Sequence, residues 1–173
     1  ALREIERILR EDAQHEVTVC PGEKHILFAL GKTTLVCRLI DGEFLNYNAA
    51  IPPTFEHTVP VNTREFITCL ERVSLLVSEK LKNPVRIAFD GAVMKMTCIT
   101  AVGKSYDECA IDGSIDGLEI GFNSRYLLDA LRACNDETVH ISLKGALNPI
   151  VITPLEGEKY TYLVLPVRLK ADA

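Results

Sequence analysis

The sequence predicts an α+β fold built by duplication, in which antiparallel strands carry helices on one side. Residues 117–169 read as a strand, an Asn-capped helix and three further strands, and the segment from Phe55 onward repeats that order. Setting Asn62 against Asn123 pairs Arg64 with Arg125, Phe66 with Leu127 and Leu70 with Leu131 at one constant offset. A third copy is already under way at the N-terminus. Residues 1–12 form its helix, and HEVTVC, KHILFAL and TTLVCRLID match ETVHISL, NPIVITP and KYTYLVLPVR in order, without an opening strand. A unit of this size must share a core with its neighbours. The expectation is the second half of one domain followed by one complete domain.

At 173 residues and 47% hydrophobic content, the chain has enough apolar surface for that core. Its net charge of −5 excludes a uniformly basic nucleic-acid binder, but a basic face can sit on an acidic molecule. No apolar run approaches the roughly 20 residues of a membrane-spanning helix, so a soluble protein is expected. Six cysteines (Cys20, Cys37, Cys69, Cys98, Cys109 and Cys134) occupy apolar strand and helix positions, with no CxxC pair and no signal peptide. That usage predicts buried thiols in a reducing cytosol.

Taken in order, the first helix places Leu2, Ile5, Ile8 and Leu9 on an apolar face and Arg3, Arg7 and Arg10 on the opposite side. Glu4, Glu6, Glu11 and Asp12 lie nearby, so the basic stripe is either a solvated face with local ion pairs or part of a phosphate-attracting surface shared by three helices. The segment 41–53 leaves the strand pattern and ends in Pro52-Pro53, which marks a linker. The helix from Asn62 to about Ser78 has Asn62 as its N-cap and Glu65 three residues on, a capping-box spacing. Phe66, Leu70, Val73 and Val77 form its buried face, and Arg64, Thr68, Glu71 and Arg72 its polar face. Leu75 intrudes on the polar face, either as a single exposed leucine or as half of a contact with another chain.

Strands follow at VRIAFD, AVMKMTCIT and SYDECAID, with a hairpin expected at Asp90-Gly91 and further turns at Val102-Gly103-Lys104 and Glu156-Gly157-Glu158. The helix from Ser124 to Cys134 buries Leu127, Ala130, Leu131 and Cys134 and leaves Arg125, Asp129 and Arg132 outward. VHISL, PIVITP and TYLVLPVRL complete the sheet. An embedded proline suits the last of these to an edge position, where the strand is either core or the wall of an apolar groove for a partner peptide.

Catalytic apparatus is not evident. His15, His25, His57 and His140 show no metal-ligand spacing, and there is no Gly-x-Ser-x-Gly elbow, Walker loop or Gly-x-Gly-x-x-Gly fingerprint. A cysteine nucleophile requires an exposed, activated thiol beside a distant histidine, and unusually fast alkylation of one cysteine is its signature.

Five runs taken together resemble one family. These are Asp41-Gly42-Glu43-Phe44, Arg72-Val73-Ser74-Leu75-Leu76, Leu118-Glu119-Ile120-Gly121-Phe122-Asn123, Tyr126-Leu127-Leu128-Asp129-Ala130-Leu131 and Leu163-Val164-Leu165-Pro166-Val167-Arg168-Leu169. In order and spacing they are similar to the bacterial replicative sliding clamp, the beta subunit of DNA polymerase III. The resemblance implies a DNA-clamp fold of repeated β-α-β-β-β half-domains. Residues 1–43 correspond to the C-terminal half of the middle domain, 44–53 to a linker and 54–173 to the complete C-terminal domain.

It further implies a homodimeric ring around duplex DNA in the full-length protein, with sequence-independent backbone contacts matched here by Arg3, Arg7, Arg10, Arg72, Arg125 and Arg132. The implied role is a cytoplasmic, non-catalytic processivity subunit of a DNA polymerase holoenzyme, with no catalytic residue, metal or cofactor. The replicative polymerase, clamp loader and repair proteins would dock short peptide motifs in a pocket. Positions matching its lining are Leu45, Ala49, Ala50, Asn123, Tyr126, Leu147, Pro149, Leu163, Val164, Leu165, Pro166, Val167 and Arg168. Leu75 and Leu76 match the family's subunit interface.

The chain departs from the family where Gly42-Glu43-Phe44-Leu45-Asn46-Tyr47 replaces a commoner Gly-Arg-Phe-Pro-Asp-Tyr, exchanging a base for an acid and losing a proline. Four residues, Lys170 to Ala173, extend past the leucine that often ends the family. A middle-domain loop that forms the other side of the pocket is absent from the sequence, and an orphan half-domain predicts self-association through residues 1–40. The competing reading is a truncated, clamp-like peptide-binding module that does not encircle DNA.

Overall fold

A computed structural model describes residues 2–11, 16–77 and 83–169, apart from the side chains of Arg10 and Glu11. The chain divides into two units, Ala1–Asn46 and Tyr47–Ala173.

The first unit is one helix, α1 (Leu2–Glu11), and a three-stranded antiparallel meander of β1 (Val17–Pro21), β2 (His25–Leu30) and β3 (Thr33–Arg38). Its core is small. Ile5, Phe28 and Leu30 are buried, with Ile8, Leu9, Val17, Ile26, Leu35 and Cys37 packed around them. Two expectations fail here. Leu2 is 74% exposed rather than part of the apolar face, because the first residue of the helix lies beyond the small sheet-covered area. Cys20 is exposed and Cys37 only half-buried, since β1 and β3, which carry them, are the two edge strands and are mostly uncovered within this unit.

The second unit begins with a 3-10 turn, Tyr47–Ala49, and contains β4 (His57–Asn62), α2 (Thr63–Val73), β5 (Val85–Thr100), β6 (Gly103–Phe122), α3 (Ser124–Arg132), β7 (Thr138–Leu143), β8 (Ile150–Pro154) and β9 (Tyr162–Val164). Four strands make one sheet in the order β4-β7-β8-β9, and β5 and β6 make a long two-stranded ribbon. The two half-repeats are interlocked. β4 of the first half pairs with β7 of the second, Val59 facing Ile141, while the start of β5 pairs with the end of β6, Ile87 facing Ile120.

Both helices start where their asparagines direct. Asn62 Oδ1 accepts the Glu65 N–H at 3.0 Å, and Asn123 Oδ1 accepts the Arg125 N–H at 3.0 Å, satisfying donors left free at a helix start. Each helix then buries its apolar stripe. Phe66, Leu70 and Val73 of α2 and Leu127 and Leu131 of α3 are fully buried in one core with Val61, Ile87, Met94, Met96, Ile120, Val139 and Ile141. At about 2 kcal/mol per fully buried large apolar side chain, this shared core dominates the stability of the unit.

Helix ends come earlier than the periodicity suggests. α2 stops at Val73 and tightens into a 3-10 turn over Ser74–Leu76, closed by the Val77 N–H to Ser74 O bond of 2.9 Å. The β-branched Val73 followed by Ser74, both weaker helix formers than Ala or Leu, favours that change, and the expected end at Ser78 lies outside the described residues. α3 ends at Arg132, with the Ala133 and Cys134 N–H groups closing three residues back.

Asp90-Gly91 is not a hairpin. β5 runs through it as one strand, with register shifts between Ala88 and Asp90 and between Gly91 and Val93, and the chain reverses instead after Thr100. The same dipeptide chemistry serves a β-bulge, because a bulge also uses a glycine in the left-handed region, and Gly91 has φ 61°.

Gly113 fixes how β6 passes β4. Its φ of 146° is a conformation that side chains disfavour, and a Cβ there would lie 2.7 Å from Val59 Cγ1, a buried and rotationally stiff neighbour. Gly113→Ala is expected to lower unfolding stability by about 2 kcal/mol or more, measured by urea denaturation. An unchanged midpoint would show that the β4–β6 approach is not a tight constraint.

Candidate functional site

A groove of about 660 Å³ runs between α3 and the chain that follows β8. Asn123 caps α3 directly after β6, and the helical period then brings Tyr126, Asp129 and Ala130 to one wall. The other wall is Thr161 to Val167, entering as β9 and leaving the sheet after Val164. Most of the lining is apolar. Tyr126 is 62% and Leu165 66% exposed, an unusual exposure for large apolar groups. Such a channel fits an extended apolar segment, with the Asn123 amide, the Asp129 carboxylate and the tyrosine hydroxyls available to orient it.

The strand wall has its own anchors. The Tyr160 hydroxyl donates to the Asp136 carboxylate, the Tyr162 hydroxyl donates to Ala133 O at 3.4 Å, and the two rings stack at 5.1 Å. Burial, then the Asp136 bond, raises the Tyr160 phenol above its ordinary range and keeps it a donor.

Of the pocket positions expected from the sequence, Asn123, Tyr126, Leu163, Val164, Leu165, Pro166 and Val167 come together in this groove. The others do not line it. Ala49 and Ala50 are exposed in and after the 3-10 turn, Leu147 and Arg168 are exposed, and Pro149 is buried beside β8. Leu45 lies in the first unit and is exposed. Asp129, Ala130, Thr161 and Tyr162 line the groove and were not anticipated, although Tyr126, Asp129 and Ala130 share one helical face at i, i+3 and i+4.

The arginines differ in their electrostatic state. Arg72 pairs with Asp107 across to β6 and also donates to Cys69 Sγ at 3.4 Å. The Arg72 bond holds the Asp107 carboxyl below the usual carboxylate range. Arg132 pairs with Glu71 at 2.7 Å, tying α3 to α2, and Arg7 pairs with Glu4 at 2.9 Å within α1. Arg3 and Arg125 are exposed, and no carboxylate among the described residues pairs with either. The Arg10 side chain lies outside the described residues. Arg64, the repeat counterpart of Arg125, is likewise exposed without an ion pair among the described residues.

Leu75 is 80% exposed, and Leu76 is half-buried. Their 3-10 turn packs on the β5–β6 ribbon, with Leu76 beside Gly103 at the hairpin end that exposes Ile99, Val102 and Tyr106. The patch is therefore larger than the one exposed leucine that the helical wheel indicated.

Four of the thiols are withdrawn from solvent. Cys69, Cys98, Cys109 and Cys134 are buried, and burial pushes all four upward, Cys109 to about 12. A buried thiol with a raised pKa is a poor nucleophile. Among the described residues no three His, Cys, Asp or Glu side chains cluster to hold a metal, and no helix is long and apolar enough to cross a membrane.

Residues 48–168 match the family described as the DNA polymerase III beta subunit, C-terminal domain. The "Beta sliding clamp" of Synechocystis is 33% identical over 98% of this chain and 44% of its own length, and that of Synechococcus elongatus is 31% identical over 99% and 46%. The chain thus spans about half the length of these curated relatives. Among solved structures, the sliding clamp of Bacillus subtilis superposes with a TM-score of 0.85 at 29% identity, covering 98% of this chain and 45% of that one. The clamp of Bartonella birtlesii bound to griselimycin gives 0.85 at 28% identity, covering 97% and 45%. By a family match across most of its length, this chain belongs to the DNA polymerase III beta subunit family.

Proposed function

We propose that the chain is the C-terminal portion of a DNA sliding clamp, a processivity factor that encircles duplex DNA and tethers a polymerase and other partners. The observation that carries this reading is the coincidence of the family match with a solvent-open apolar groove where partner peptides would dock. On this reading, residues 1–43 complete a middle domain, 44–53 link the domains and 54–173 form the C-terminal domain. Leu75 and Leu76, with the exposed end of the β5–β6 ribbon, would meet a second subunit. On this reading no bond-making is required of any residue.

The arginine face supplies weak attraction. Arg72 and Arg132 have carboxylate partners, so an approaching phosphate must compete for them, whereas Arg64 and Arg125 can exchange water and small anions for phosphate directly. A tether that must slide benefits from few and water-mediated contacts.

Two outcomes are expected. In the intact protein, Arg64→Gln with Arg125→Gln should reduce the slope of log affinity for duplex DNA against log salt by about 2, while Arg72→Gln with Arg132→Gln should reduce it less. Equal slopes in all variants would refute the assignment of this face to DNA. In the groove, Leu165→Asp should weaken griselimycin binding, measured by isothermal titration, by about tenfold or more. Unchanged affinity would remove the groove as the ligand site.

A further inference from the structure

Beyond Val164 the chain leaves the sheet, yet Leu165, Pro166 and Val167 still form a wall of the groove. Little burial holds that wall in place, since Leu165 is 66% and Val167 39% exposed. Among the described residues, its backbone is attached to β6 at Gly121. Gly121 and Val167 form an isolated antiparallel bridge, and the Val167 N–H donates to Gly121 O at 2.7 Å. At that point the strap lies against bare backbone. A Cβ on Gly121 would sit 2.6 Å from Leu169 Cδ2, 3.0 Å from Leu169 Cγ and 2.7 Å from Val167 O.

The requirement for glycine is spatial and not conformational, because Gly121 is not among the glycines with positive φ. An alanine could hold the strand pairing of Gly121 with Arg86, but the strap could not stay where it is. Location adds to the effect. Gly121 seats one wall of the groove, Asn123 two residues later starts the helix that forms the other, and Tyr126 follows on that helix. One short stretch of backbone therefore sets the spacing of both walls.

We propose that Gly121 and Leu169 are positioning residues for the partner groove, a clip that holds the strap Leu165–Leu169 at the width a peptide ligand requires. Neither residue lines the groove itself. The proposal rests on the reading of the groove as the ligand site.

The test measures griselimycin affinity and amide hydrogen exchange in the intact protein carrying Gly121→Ala, Leu169→Ala or both. Gly121→Ala is expected to weaken binding about tenfold or more and to strip protection from the Val167 amide, while amides of the β4–β7 ladder keep theirs. Because Leu169→Ala removes the side chain that the new methyl would strike, the double variant should lose less affinity than the product of the two single losses. Wild-type affinity in Gly121→Ala, or weakened binding with the Val167 amide still protected, would overturn the proposal. If Leu165→Asp binds griselimycin like the wild type while Gly121→Ala still frees the Val167 amide, the clip exists but does not serve a ligand groove, and the functional reading is what fails.

Discussion

The reciprocal pairing of the two half-repeats is the constraint on which the second unit depends. Each half contributes an opening strand that finds its partner only in the other half, β4 on β7 and the end of β6 on the start of β5. Neither half can close its core alone. The pairing places both Asn-capped helices over the same apolar interior, where Phe66 and Leu127, matched in the repeat, are both completely buried. The groove is a by-product of this arrangement. It opens where α3 and the last strand, both from the second half, leave the shared core side by side.

Charge is distributed with the same economy. The helices expose arginines, but Asp107 and Glu71 neutralise two of them while fastening α2 to β6 and α3 to α2. These exposed pairs add little stability individually, since solvent screens them, and their main effect is to moderate the positive potential. A face built this way suits a partner that must be held loosely. A net charge of −5 is therefore compatible with the proposed contact to a polyanion.

Much of this was legible in the sequence because it depends on local periodicity. The stripes Phe66-Leu70-Val73 and Leu127-Leu131 and the two asparagine caps are short-range patterns, and the fixed offset between repeats extended them into a topology. Features set by distant partners were not legible. The Arg72–Asp107 pair spans 35 residues, and nothing near either residue signals it. Asp90-Gly91 carries turn chemistry that a hairpin and a bulge share, so only the register of the opposing strand decides between them. Cys20 has an apolar neighbourhood in sequence but lies on a strand edge with little to cover it. In the groove, the strand wall was visible as an apolar run with an embedded proline, whereas Asp129, Ala130, Thr161 and Tyr162 became apparent only once α3 was set against β9.

A ring of which this chain is the proposed C-terminal part would hold DNA by topology and not by affinity. The most direct measurement is retention of the intact protein, loaded onto a nicked circular plasmid, before and after a single cut linearises the DNA. A topological ring is expected to stay on the circle and to leave rapidly once ends are available. Equal retention on circular and linear DNA would contradict it and would point to ordinary surface binding by the arginine face.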